Sequence, residues 1–288
     1  MKILLTFVFL LFTAIIGIIP FFLMYGFSDF MRLILFRVMR YRKKVVLDNL
    51  SNANLGVPYR EQKKVLRNIY KNLTDIIIEG IKSFTMSRRQ ILKRHKLLNP
   101  EILDPYFDAR KSVIVVTGHY CNWEWGSLSA GLQTPFNIIA FYKPLSNPMV
   151  DRFLRWSRSR FGTTLAPIYE TSNTFEKFKG TPSIYLMAAD QSPAKAEKAY
   201  WVNFLNRKTA FLHGPEKHAR NNNYPVVFVE IQRVKRGKYE MMLSVIADDV
   251  QHLADGEITR RYAQKLESVI RANPANWLWS HKRWKLSV

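Results

Sequence analysis

The N-terminus begins with a long apolar run, since residues 3–28 contain no charged side chain. This run is longer than the roughly 20 apolar residues that span a bilayer core. The large side chains FFLMY occupy positions 21–25, where a signal peptide would carry its small-residue cleavage site. We therefore predict a retained membrane anchor over residues 1–30, followed by one large domain over residues 31–288. Pro20 leaves open whether the anchor spans the membrane or inserts as an interfacial hairpin.

Basic residues follow the apolar run with no acid among them after Asp29, whereas only Lys2 precedes it. The six basic residues are Arg32, Arg37, Arg40, Arg42, Lys43 and Lys44. The positive-inside rule places the chain after the anchor on the cytoplasmic side. The cluster serves either as this topology signal alone or also as a contact for anionic lipids.

The formal net charge of +22 and the pI of about 10.1 indicate an anionic partner. Nucleic acid, an acidic membrane surface and a phosphorylated substrate all qualify. We predict no nucleic-acid partner, because no helix-turn-helix, zinc-finger or ribonucleoprotein signature is apparent.

Cys121 is the one cysteine, which excludes an intramolecular disulfide. The sequence has neither H-E-x-x-H nor paired Cys/His spacing, so no metal site is predicted.

Helical and strand-like patterns alternate along the chain and predict an α/β fold. Strands are predicted over 112–117, 183–190, 224–234 and 238–247, and helices over 60–84, 122–131, 146–162 and 257–272. Ligands of such sheets bind beyond the carboxyl ends of the strands. His119 and Asp190 both stand at predicted carboxyl ends, so the site is expected there.

The stretch "TGHYCNWEW", residues 117–125, places a histidine and an acid at a strand-to-helix junction. Histidine is suited to accept a proton near neutral pH, and an adjacent acid can fix its tautomer. We predict that Glu124 reaches back to the His119 ring and that His119 acts directly on a substrate hydroxyl. Two alternatives remain: a capping histidine with a surface glutamate, and a Cys121–His119 nucleophile, which adjacent positions at a turn disfavour.

Five stretches together resemble the bacterial late lipid A acyltransferases, within the lysophospholipid/glycerolipid acyltransferase superfamily. They are "YRKKVVLDNL" (41–50), "TGHYCNWEW" (117–125), "YKPLSNPMVDRFLRWSR" (142–158), "AADQS" (188–192) and "NPANWLWSHKRWK" (273–285). The resemblance implies an α/β fold with a mixed β-sheet flanked by helices. It also implies an inner-membrane enzyme that moves an acyl chain from a thioester, usually on acyl carrier protein, to a hydroxyl of a lipid A precursor. No cofactor is implied. The alternative acceptor is a lysophospholipid or another phosphorylated amphiphile.

The resemblance also assigns roles to residues of this chain. His119 corresponds to the general base, Glu124 to its orienting acid, and Arg158 to the arginine beside that pair. Further substrate-binding candidates are Asn122, Lys143, Asp151, Arg155, Asp190, Gln191, Arg207 and Lys208. Among these, Asp190 is expected to have a structural or orienting role, and Arg207 and Lys208 to meet acceptor phosphates or the acidic carrier protein. Two departures are noted: Cys121 stands where relatives often carry a small residue, and the acid–glycine pair of the glycerolipid branch is missing.

Two further clusters leave alternatives open. The tail "WLWSHKRWK" combines three tryptophans with cationic groups, which suits either the membrane–water interface or packing in a core. His213 and His218 are predicted to face the surface or a phosphate. Lys217 and Arg220 are further candidates for phosphate contacts.

Overall fold

The computed structural model describes residues 2–286, within which eleven α-helices and nine β-strands form. The helices are α1 (Lys2–Ile18), α2 (Phe21–Leu33), α3 (Lys43–Ala53), α4 (Tyr59–Lys82), α5 (Arg88–Arg94), α6 (Asp104–Asp108), α7 (Glu124–Ala130), α8 (Pro148–Ser159), α9 (Thr171–Lys177), α10 (Gly214–Asn222) and α11 (Glu257–Ala272). The strands are β1 (His95–Leu97), β2 (Val113–Thr117), β3 (Asn137–Tyr142), β4 (Thr163–Pro167), β5 (Ser183–Ala188), β6 (Ala199–Phe204), β7 (Arg207–Leu212), β8 (Val226–Lys235) and β9 (Lys238–Ala247). The predicted ranges 1–30 and 31–288 include residues 1, 287 and 288, which lie outside the described part.

A seven-stranded mixed sheet forms the centre of the molecule, in the order β1-β9-β8-β2-β5-β3-β4. All neighbouring pairs are parallel except the antiparallel hairpin of β8 and β9. The predicted mixed α/β sheet is thus confirmed. Residues 113–116 of the central strand β2 are buried, which explains their unbroken run of β-branched side chains. A separate antiparallel hairpin, β6 and β7, stands apart from this sheet.

The carboxyl ends of β2 and β5 determine where His119 and Asp190 lie. In the parallel pair of β2 and β5, Thr117 is opposite Ala188, so both strands finish at the same edge of the sheet. The chain then turns at Gly118, where an added Cβ would lie 2.7 Å from Leu266 Cδ1 and 3.1 Å from Asp190 Oδ2. Only glycine leaves room here for the packing of α11 and for the Asp190 carboxylate.

The apolar N-terminal run forms two helices rather than one. Proline lacks an amide hydrogen and clashes with the preceding turn, so α1 ends before Pro20 and α2 begins after it. No helix within residues 2–286 is both long and apolar enough to cross a membrane. A spanning helix, one of the two forms left open for the predicted anchor, is therefore not found in the described part of the chain.

Lys82, at the end of α4, forms hydrogen bonds to the backbone between the two N-terminal helices. Its ammonium group donates hydrogen bonds to the carbonyl oxygens of Ile16 at 3.2 Å, Gly17 at 2.6 Å and Ile19 at 2.7 Å. These carbonyls stand at the end of α1, where the helix supplies no partners of its own. Burial lowers the pKa of Lys82, and the three acceptors satisfy its buried ammonium. The N-terminal helices are thereby tied to the rest of the fold.

Two of the C-terminal tryptophans and one of the basic-stretch candidates are buried. Trp277 and Trp279 are buried, so the structure favours packing over the membrane-interface alternative for this pair. His218 is buried and stacks on Phe175 at 4.4 Å, not on the surface as predicted. Burial lowers its pKa to about 4. Arg220 is used within the fold, since it pairs with buried Glu216 at 3.1 Å and donates to neighbouring carbonyls.

Candidate active site

The turn between β2 and α7 carries the candidate base, and the C-terminal segment holds this turn in place. Leu278 donates its amide hydrogen to the carbonyl of His119 at 3.0 Å, and the amide of Cys121 donates to Asn276 at 2.9 Å. Cys121 has a left-handed φ of 52°, and its side chain is buried. Burial raises the pKa of the Cys121 thiol to about 12, so a Cys121–His119 nucleophile is not supported.

Asp190 binds both the ring and the backbone of His119. Its Oδ1 lies 2.6 Å from His119 Nδ1, and its Oδ2 accepts the His119 backbone amide at 2.8 Å. Trp277 donates its indole hydrogen to the same Oδ2 at 2.7 Å. Burial opposes the ionised form of Asp190, but the charge and hydrogen bonds of His119 outweigh it and lower the pKa of Asp190 to about 2. The carboxylate is therefore ionised and fully engaged.

This pairing fixes the tautomer of His119. An ionised carboxylate only accepts hydrogen bonds, so Nδ1 carries the hydrogen and Nε2 carries the free electron pair. Nε2 lies 3.1 Å from Gln191 Nε2, which can donate to it. Burial lowers and Asp190 raises the pKa of His119, and the net direction is upward. The His119 side chain is 18 % exposed, and its Nε2 is engaged by Gln191.

Glu124 has a different partner from the one predicted. Its Oε2 lies 2.5 Å from Arg158 Nη2, so Glu124 pairs with α8, and Asp190 takes the place on the imidazole. Glu124 begins α7, and this position directs its side chain toward α8. Its negative charge still contributes to the raised pKa of His119. The structure thus brings His119, Glu124 and Arg158 into one region but assigns the orienting acid differently.

An apolar cavity of about 540 Å³ adjoins these polar groups. Its polar wall includes Glu124, Arg158, Gln191 and His281, and Trp123 connects the wall to His119 through a ring contact at 5.1 Å. The apolar wall comes from α1, α4, α8 and their connections, and includes Phe9, Ile77, Ile81, Phe84, Leu145, Val150 and Leu154. The volume falls within the roughly 300–1,000 Å³ of small-molecule sites.

His281 belongs to this wall, although no site role was predicted for it. It accepts the backbone amide of Ser192 at 3.2 Å, and burial lowers its pKa to about 4. His281 is therefore neutral at neutral pH. The only signal in the sequence was its place in the C-terminal block 273–285, which could not show that the block returns to the strand ends.

The predicted substrate-binding residues separate into four groups. Gln191 lines the cavity, whereas Asn122 and Asp190 are buried and bind other protein groups. Asp151 and Arg155 pair with each other at 3.4 Å on α8, and Asp151 also accepts the Leu145 amide at 2.8 Å. The remaining three are outside the cavity wall: exposed Lys143, exposed Lys208, and Arg207, which lies over the Trp284 ring at 5.3 Å. Among residues 2–286, no group of three or more histidines, cysteines or acids is arranged to hold a metal ion.

Comparisons with known proteins agree on one family. A sequence model described as bacterial lipid A biosynthesis acyltransferase matches residues 1–286. A lipid A biosynthesis lauroyltransferase of Escherichia coli (strain K12) is 21% identical over 250 residues, which cover 86% of this chain and 81% of that protein. A lipid A biosynthesis acyltransferase of Haemophilus influenzae (strain ATCC 51907 / DSM 11121 / KW20 / Rd) is 25% identical over 203 residues, covering 67% of this chain and 60% of that protein.

Proposed function

This chain belongs to the bacterial lipid A biosynthesis acyltransferase family, and from that membership we propose that it transfers a fatty acyl group from a thioester to a hydroxyl of a lipid A precursor. The observation that supports this most directly is the basic Nε2 of His119 beside an apolar cavity with an arginine in its wall. These features suit acyl transfer from a thioester to a hydroxyl. The base can accept the proton of the hydroxyl, the cation can stabilise the developing negative charge, and the apolar cavity can hold the acyl chain.

His119 is the proposed general base. As the acceptor hydroxyl attacks the thioester carbonyl, its proton passes to Nε2 and a tetrahedral intermediate forms. Collapse of this intermediate breaks the C–S bond, and the imidazolium returns the proton to the departing thiolate. Asp190 accepts the hydrogen bond from Nδ1–H throughout the reaction and stabilises the imidazolium. Gln191 has to release Nε2 before the hydroxyl can bind.

Arg158 is the proposed stabiliser of the charge that develops on the thioester oxygen. Glu124 engages Nη2 of the guanidinium at 2.5 Å and fixes its orientation. The guanidinium carries five N–H donors, so further donors remain for the substrate. One donor of this kind contributes about 3–4 kcal/mol to the transition state in known oxyanion holes.

The cavity is the proposed site of an acyl chain, because its walls are mainly apolar side chains from three helices. Removing an acyl chain from water stabilises the complex by about 0.8 kcal/mol for each buried CH₂ group. Acyl carrier protein is the proposed donor, since an acidic carrier complements the net charge of +22. Arg207 and Lys208 are candidate contacts for the carrier or for acceptor phosphates.

Membrane association is proposed through α1 and α2. Both helices expose large apolar side chains, including Leu4, Phe7, Leu11, Ile15, Ile18, Phe22 and Leu23. An exposed apolar helix surface followed by basic residues suits insertion beside anionic head groups. We propose the inner membrane as the location, with the catalytic region on the cytoplasmic side.

The test compares acceptors with the same acyl donor. Purified protein in detergent receives an acyl thioester on carrier protein with either a lipid A precursor or a lysophosphatidate. We expect acylation of the lipid A precursor, and lipid A from cells lacking this chain should miss one acyl group by mass spectrometry. Acylation of lysophosphatidate alone would instead favour a lysophospholipid acyltransferase of the same superfamily. Unchanged lipid A in those cells contradicts the proposal.

A further inference from the structure

Glu79, in the middle of α4, is a buried acid that the proposed chemistry does not use. It has no exposed surface. Its Oε1 accepts the Tyr25 hydroxyl at 2.7 Å, and its Oε2 accepts both the Tyr239 hydroxyl and Asn122 Nδ2 at 2.7 Å. The three donors come from α2, from β9 and from the turn that carries His119. Glu79 therefore joins three parts of the fold that are distant in sequence.

The orientation of the Asn122 amide follows from its second bond. Asn122 Oδ1 accepts the backbone amide of Trp125 at 3.0 Å, so its Nδ2 must face Glu79. The backbone carbonyl of Glu79 also accepts the Trp125 indole hydrogen at 3.0 Å. Glu79 thus holds the residues on both sides of Trp123 and Glu124, with its side chain on one side and its main chain on the other.

Burying the Glu79 carboxyl group is energetically unfavourable unless its oxygens are hydrogen-bonded. Burial raises the pKa of Glu79 more than the hydrogen bonds from Tyr239 and Tyr25 lower it, so the net direction is upward. The three donors satisfy most of the acceptor sites of this buried carboxyl group, and removing one donor leaves an acceptor site unpaired. The chain therefore keeps a polar link in its interior where an apolar contact would pack more simply. The link leads directly to the active-site turn, the segment between β2 and α7 that carries His119.

We propose that Glu79 is a positioning residue, which through Asn122 sets the start of α7 and so the place of Glu124 and its partner Arg158. The proposal rests on the proposed acyltransferase function. Gly80, the next residue of α4, lies beneath the Glu124 side chain, where an added Cβ would be 3.9 Å from Glu124 Cγ. A shift of α4 against the turn consequently moves the Glu124–Arg158 pair. Tyr25 extends the same link to the N-terminal helices.

An exchange of donor and acceptor tests the link. In Asn122→Asp two carboxyl groups face each other, whereas in Glu79→Gln the amide oxygen can still accept from Asn122 while the NH₂ group donates to the Tyr25 hydroxyl. In the double variant the new amide at position 79 can donate to the new carboxylate at position 122, which still accepts the Trp125 amide. We expect Asn122→Asp to lower kcat by about 10²-fold, the loss that a 1 Å misplacement can cause, and Glu79→Gln to lower it less. The double variant should recover to within about tenfold of the wild type.

Tyr239→Phe is the matched control, because it removes a different hydrogen bond to the same Oε2. It should lower thermal stability while kcat stays within about threefold of the wild type, since the Asn122 bond remains. Equal losses of kcat in Tyr239→Phe and Asn122→Asp would reduce Glu79 to a general stabilising role. So would a double variant that stays as slow as Asn122→Asp. If Asn122→Asp does not fold, Asn122→Ala replaces it, and normal kcat in that variant overturns the proposal.

A second readout separates this proposal from the proposed function. In ¹⁵N-labelled full-length protein, the indole N–H signal of Trp125 reports its bond to the Glu79 carbonyl without any substrate. We expect this signal to shift in Asn122→Asp and to return in the double variant. An inactive wild type with this pattern of shifts contradicts the proposed function only. An unshifted signal in Asn122→Asp contradicts the positioning role only.

Discussion

The acid that orients the His119 ring is Asp190, 71 residues further along the chain, with 2.6 Å between Nδ1 and Oδ1. The contact exists because β2 and β5 are parallel neighbours whose ends stand side by side. Glu124, only five positions from His119, turns instead to Arg158 on α8. The site therefore contains two charged contacts: Asp190 with the His119 ring, and Glu124 with Arg158 in the cavity wall.

Asp190→Asn should lower kcat by at least about 10²-fold, because an amide at this position can donate to Nδ1 and place the hydrogen on Nε2. That tautomer cannot accept a proton from a hydroxyl. The measurement is steady-state acyl transfer, with circular dichroism and thermal unfolding as controls for the fold. Normal turnover in a folded variant would show that Asp190 does not set the tautomer.

The pH dependence follows from the same pair. Burial lowers and Asp190 raises the pKa of His119, with a net rise above 6.5. The base is the neutral imidazole, so kcat/KM should fall as the pH decreases through this raised pKa. Removing the charge in Asp190→Asn should move the titration of His119 to lower pH, which NMR of the ring protons can follow. An unchanged or higher pKa in that variant would contradict the assigned partner.

His119→Ala should lower turnover by at least about 10²-fold without unfolding the protein, as expected for loss of a general base. Cys121→Ser serves as the matched variant two residues away. Its thiol is buried with a pKa of about 12, so we expect turnover close to that of the wild type. Loss of turnover in folded Cys121→Ser, with activity retained in His119→Ala, would reverse the assignment.

Glu124 and Arg158 should behave as one unit. Arg158→Ala is expected to lower kcat strongly, and Glu124→Ala to lower it because the guanidinium loses its orienting contact. The double variant should then be little slower than the slower single variant, as for residues that act together. Additive losses would show independent roles. An Arg158→Ala effect on KM alone would assign Arg158 to binding.

Phe9 should influence which acyl chains are accepted. It lines the cavity from α1 and contacts the Phe84 and Phe153 rings at 6.2 Å and 6.1 Å. Phe9→Ala enlarges the cavity, so competition between acyl donors should shift toward longer or bulkier chains. Val8→Ala is the control, because Val8 is 54% exposed on the same helix. An identical donor preference in both variants would separate the N-terminal helix from the acyl site.

Two long helices with strong periodicity and one buried strand were predicted well. The predicted helices 60–84 and 257–272 correspond to α4 and α11, because each repeats one pattern over several turns, and strand 112–117 corresponds to β2, whose run of β-branched residues is typical of a buried strand. Other short strands were missed, as in β3 and β4, where a few apolar residues do not distinguish strand from loop. The hairpin of β6 and β7 also lacks the usual glycine signal, since Leu205 and Asn206 both adopt a left-handed φ in its turn.

The N-terminal run shows how a local feature and a tertiary contact combine. Pro20 leaves open a hairpin form of the anchor, and its missing amide hydrogen does separate α1 from α2. The partner of the resulting free carbonyls could not be predicted, because Lys82 lies more than sixty residues away. Nor does a pattern of apolar residues reveal that Phe9 faces a cavity.

The sequence by itself determined that His119 and Asp190 stand at strand ends and that Glu124 lies in the first turns of a helix, since these follow from patterns within one segment. Only the tertiary structure decided which acid meets the imidazole. The reason is that a hydrogen bond depends on distance in space, and the order of strands in the sheet, which sets that distance, is a property of the whole chain. The same holds for Glu79, whose three partners become neighbours only when α2, β9 and the active-site turn pack around α4.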